Sequence, residues 1–148
     1  MEQVSLTTEH EFNARDHAQY LAVMTIASLT MVVARVLKPS PDGIGTHEQL
    51  GLPACIFHKF TGIPCPSCGL TTSFAYFAHF DFKASFLTQP FGFLLAAATL
   101  SSIPLFAILM YRRIKWDRLL ASLPSRAVTY WGLGLMLMGW IYKIIITR

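Results

Sequence analysis

Charge is scarce in this sequence. Asp, Glu, Lys and Arg make up 14% of 148 residues and hydrophobic residues 53%, whereas soluble domains carry roughly a quarter charged residues. That deficit leaves too little polar surface to enclose the apolar residues in water. A Ser-His-Asp arrangement, a phosphate-binding loop and a paired-carboxylate site are also missing, which removes the usual sequence support for hydrolytic and nucleotide chemistry. No apolar run carries the ionisable residues that proton-coupled transport requires. The opening MEQVSLTTEHEFNARDHAQ lacks the basic start and small-residue cleavage site of a secretory signal, so the first apolar run is expected to stay attached. Repeats, low-complexity tracts and long linkers are absent too, and one membrane domain over 1–148 is expected.

What is present is long apolar stretches. Tyr20–Leu37 reads YLAVMTIASLTMVVARVL, Phe91–Tyr111 reads FGFLLAAATLSSIPLFAILMY, and 128–146 is apolar except for Lys143 near its end. A helix needs about 20 apolar residues to cross the hydrocarbon core. The expected fold is therefore all-α, an integral membrane helical bundle of about three transmembrane helices at 20–37, 91–111 and 128–146. A polar tail covers 1–19, a cysteine-containing segment 38–68, a short amphipathic helix 69–80 and a basic loop 112–127. Within 69–80, Leu70, Phe74, Phe77 and Ala78 recur at helical spacing as one apolar face, with Thr72, Ser73 and Tyr76 elsewhere around the axis. Twelve residues suit an interfacial or re-entrant helix better than a span. Pro90 stands where proline is tolerated, in the first turn of a new helix.

The net charge of +4 is unevenly placed. Arg112, Arg113, Lys115, Arg118 and Arg126 crowd the loop between the second and third runs, opposed by Asp117 alone. Short Lys/Arg-rich loops stay cytoplasmic, so this cluster reads as an orienting loop beside anionic headgroups, not a nucleic-acid patch. Trp116, Leu119, Leu120 and Leu123 interleave with it as in a helix lying on the membrane surface. With three spans, the N-terminus is then cytoplasmic and the cysteine segment faces outward. Arg35 and Lys38, at the outer end of the first run, pull weakly the other way.

All three cysteines lie within fourteen residues as Cys55-x2-His58-x6-Cys65-x2-Cys68. Two pairs at that spacing suit a tetrahedral ion, and Cys3His is an established structural zinc set, so zinc is the candidate cofactor with Cys55, His58, Cys65 and Cys68 as ligands. A bland alternative makes His58 an interfacial aromatic between Phe57 and Phe60. Cys65 also precedes a helix whose N-terminus favours a thiolate, which fits a redox pair of Cys65 and Cys68. Membrane disulfide-generating enzymes resemble this arrangement, but they relay through a second pair, and here Cys55 stands alone. A structural disulfide from Cys55 to Cys65 or Cys68 is the third reading.

The block Thr61-Gly62-Ile63-Pro64-Cys65-Pro66-Ser67-Cys68-Gly69-Leu70-Thr71, with Cys55 ten residues upstream of Cys65, resembles the signature of a family of small bacterial membrane proteins of unknown function. The resemblance spans roughly 50–105. It implies a polytopic helical protein of the bacterial inner membrane and no activity. Two positions depart: Thr72 stands where the family places arginine, and Gln89-Pro90 replaces Asn-Pro. His58 is outside the signature.

Among other features, Pro104 is expected to kink the second span. Ala97/Ser101 and Ala98/Ser102 are small-residue pairs that permit close packing. Lys143 is expected to snorkel to the interface among Trp140 and Tyr142, and His79 with Asp81 to form a polar helix end. The function expected is non-enzymatic: a small scaffold or assembly partner, in contact with the bilayer and other membrane proteins, whose cysteine cluster orders an outward segment. The alternative is a thiol–disulfide or metal-dependent enzyme.

Overall fold

The structure, a computed structural model, describes residues 13–122 and 124–147. The tail before Asn13 lies outside the described residues, as do Leu123 and the side chain of Leu120. Among the described residues there are seven α-helices, one 3-10 turn at Thr46–Leu50 and no strand. The helices are α1 (Ala14–Val36), α2 (Ile56–Thr61), α3 (Leu70–Ala78), α4 (Phe82–Thr88), α5 (Pro90–Tyr111), α6 (Trp116–Ser122) and α7 (Ser125–Thr147).

Three of these helices, within α1, α5 and α7, are long and apolar enough to cross a membrane. No more than 17% of any spanning window is buried within the protein, so these are not core helices of a water-soluble fold. Leu21, Ile26, Val32, Leu105 and Leu137 all point outward from the bundle, as expected where lipid replaces water. α1 begins ahead of its apolar run because Asn13 caps it, in a capping box with Asp16.

α1 packs along α5, and α7 also contacts α5. Tyr20 fixes one end. Its hydroxyl donates to the Ile114 carbonyl at 2.9 Å, and its ring meets Phe106 and Trp116. The start of α1 therefore lies beside the basic segment, and α1 ends at the opposite pole, beside α3. There Arg35 Nη1 lies 3.0 Å from His79 Nδ1. Asp81 caps α4 by accepting from the Ala84 amide, so His79 and Asp81 both serve helix ends.

α3 and α4 form a short helical hairpin against α5. The face that α3 buries holds one member of the expected apolar face, Phe77, beside small polar residues. Thr72, Ser73, Ala75 and Phe77 are buried, while Leu70 and Phe74 line a groove against α1. Packing inside a lipid-embedded bundle favours small residues and hydrogen bonds, since apolar side chains gain nothing by leaving lipid. Ser73 and Ser85 accordingly lock the hairpin: the Ser85 hydroxyl donates to the Ser73 carbonyl at 2.7 Å and the Ser73 hydroxyl to the Ser85 carbonyl at 2.9 Å. A Cβ at Gly92 would lie 2.8 Å from Ser73 Cβ. Gly92 and the fully buried Ala96 are thus the small pair at the core contact, one turn before the pairs marked by sequence. Pro104 lies inside α5 without ending it.

Candidate metal centre

The thiols come from two pieces of chain. Cys55 opens α2, its carbonyl accepting from the Lys59 amide. Cys65 and Cys68 lie in a tight turn before α3, closed by the Cys68 amide donating to the Cys65 carbonyl at 2.9 Å. Gly69 follows at φ 86°, a left-handed conformation that side chains resist. A Cβ there would also come within 2.8 Å of the Gly43 carbonyl oxygen, so glycine is required twice over.

The fold brings Cys55, Cys65 and Cys68 together: their sulfur atoms lie within 4.8 Å of one another. Cys65 Sγ is 3.2 Å from Cys68 Sγ, and all three are free thiols. Tetrahedral zinc with bonds of about 2.3 Å needs sulfurs about 3.8 Å apart, a spacing that lies between these two distances. The donor set therefore fits a soft divalent ion after movements of about an ångström or less. His58 is not among the atoms converging on that point. It lines the same cavity of about 580 Å³, with Glu48, Lys59, Thr71 and Thr72. Phe57 and Phe60 beside it are exposed.

The two turn thiols are electrostatically unequal. Burial opposes ionisation of Cys65, but hydrogen bonds with Ser67, Cys68 and Cys55 favour its thiolate and bring it down to about 7. At Cys68 burial dominates, reinforced by the bonds to Cys65 and Cys55, and pushes that thiol up to about 12.

Distant residues hold the turn, and these were not identified from the sequence. Trp140 Nε1 donates to the Pro64 carbonyl at 2.7 Å, and Gln89 Nε2 donates to the Pro66 carbonyl at 3.0 Å. The two carbonyls flanking Cys65 are thus pinned from α7 and from the start of α5. Gln89 is fully buried, and its Oε1 has no hydrogen-bond partner among the described residues. The Thr46 and Thr72 hydroxyls meet at 2.8 Å, and Thr46 also accepts from the Ser40 amide, tying the 38–50 segment to α3.

Lys143 corrects an expectation. It does not snorkel but is 3% exposed, with Nζ 3.1 Å from the Gly43 carbonyl oxygen and 3.3 Å from that of Thr88. Trp140 and Tyr142 beside it both donate to carbonyls, Trp140 to that of Pro64 and Tyr142 to that of Leu87. The signal was available: an isolated ionisable residue in a span is a site by default. Its nearness to the end of the run disguised it.

Residues 55–103 match the family described as Protein of unknown function (DUF2752). The matched stretch holds all three cysteines, the α3–α4 hairpin and the first part of α5. No curated protein and no solved structure matches the chain.

Proposed function

We propose that Cys55, Cys65 and Cys68 bind zinc, and that the bound ion staples the segment between α1 and α5 onto the spans. The observation that carries this is the convergence of three thiols from two separate pieces of chain. A metal bound to residues scattered in the unfolded chain contributes its binding energy to folding. His58, in the same cavity, or a water is the fourth ligand. The protein is then a small scaffold or assembly partner of the bacterial inner membrane, with its N-terminus cytoplasmic and the metal site outward. The basic residues around Arg112 lie at the pole opposite the thiols, which supports that orientation under the positive-inside rule.

Elemental analysis with thiol counting, on full-length protein in mild detergent, tests this. Stoichiometric zinc that is lost in Cys68→Ser supports it; metal-free protein with a Cys55 disulfide refutes it. The split between the Cys65 and Cys68 thiols favours a second reading. As a redox pair, the Cys65 thiolate attacks a partner protein's disulfide and Cys68 resolves the mixed disulfide. The partner leaves as a dithiol and the pair is oxidised. Metal-free protein with an alkylatable Cys65 and no disulfide supports that reading instead.

A further inference from the structure

A buried lysine needs an anion. Moving an ammonium out of water costs several kcal/mol unless an opposite charge lies close. Lys143 is almost wholly enclosed, yet both of its hydrogen bonds go to neutral carbonyl oxygens. Its surroundings place it at the thiol turn. An ideal Cβ on Gly69, the residue after Cys68, would lie 3.3 Å from both Lys143 Nζ and Cε.

Zinc binding to three thiols releases three protons and leaves the complex with one surplus negative charge. A neutral fourth ligand, water or imidazole, leaves that charge unchanged. We infer that Lys143, carried on the third spanning helix, is the counter-ion of the zinc–trithiolate centre, so that α7 completes the site electrostatically. This rests on the zinc reading above. Lys143 is a positioning residue for charge, not a ligand: its two carbonyl partners hold the ammonium beside Gly69, the residue after Cys68, and Lys143 does not line the cavity that His58 shares with the thiols. The same arrangement gives α7 a stake in metal occupancy, because a displaced α7 would leave both the lysine and the anionic centre without compensation.

The test compares two ions that use the same three thiols but differ in charge. Arsenite condenses with three thiols to a neutral trithiolate and releases three waters, whereas zinc forms the anionic complex. Affinities for both are measured by chelator and dithiol competition on wild type, Lys143→Met and Lys143→Gln in mild detergent. Zinc affinity is expected to fall at least about tenfold in both variants, while arsenite affinity changes by less than about twofold. A general folding defect lowers both together. Parallel loss of the two ions, or no loss of zinc, overturns the counter-ion role. If wild type itself takes arsenite but no zinc, the zinc reading fails instead.

Discussion

Gly69→Ala asks whether the turn at the thiols is held by its neighbours or only by its own conformation. Gly69 has φ 86°, and an added Cβ would lie 2.8 Å from the Gly43 carbonyl oxygen and 3.3 Å from Lys143. The left-handed conformation costs an alanine about 1–2 kcal/mol. The Gly43 carbonyl has little room to yield, since the Lys143 ammonium binds it. Over-packing of that kind adds about 1–3 kcal/mol, so the total is about 2–5 kcal/mol. Gly51 supplies the comparison: its φ is 75°, but none of the described residues lies within 4 Å of its Cβ position, so Gly51→Ala carries the conformational cost alone. Thermal unfolding of the metal-free proteins in mild detergent, followed by helical circular dichroism, measures the difference. Gly69→Ala should be the less stable of the two variants and should also bind zinc more weakly, because the residue displaced is next to Cys68. Equal destabilisation of the two variants would refute the claim that the 38–50 segment is packed against the thiol turn.

Trp140→Phe keeps an aromatic ring on α7 but leaves the buried Pro64 carbonyl without its donor, at a cost of about 1–3 kcal/mol; faster zinc release to a chelator is the readout. In metal-free protein, alkylation of Cys65 should rise through about pH 7, while Cys68 stays unlabelled until far more alkaline pH, as mapped by mass spectrometry. Both thiols start from an ordinary value of 9.0. The lowered Cys65 value contributes stability that is complete above about pH 9 and fades as pH falls through about 7. The raised Cys68 value contributes stability that is lost as pH rises from about 9 through about 12. Stability that falls steadily from pH 7 to 9 would contradict the Cys65 assignment.

Hydropathy alone determined the helical class and the three spans, because length and apolarity are properties of the chain and lipid imposes both. Spacing alone likewise marked Cys55, Cys65 and Cys68, since a tight turn sets which side chains can converge. Polar helix ends at His79 and Asp81 were legible for the same local reason. Tertiary structure decided what local pattern does not carry. It put Thr72 and Ser73 of α3 inside beside Phe77, and Leu70 and Phe74 at the groove, because in lipid small size and hydrogen bonding count alongside apolarity in selecting the buried face. It brought Trp140 and Lys143, more than seventy residues away in sequence, to the backbone around the cysteine turn. Which carbonyl an indole or ammonium meets depends on how the third span docks, and no periodicity within that span records it.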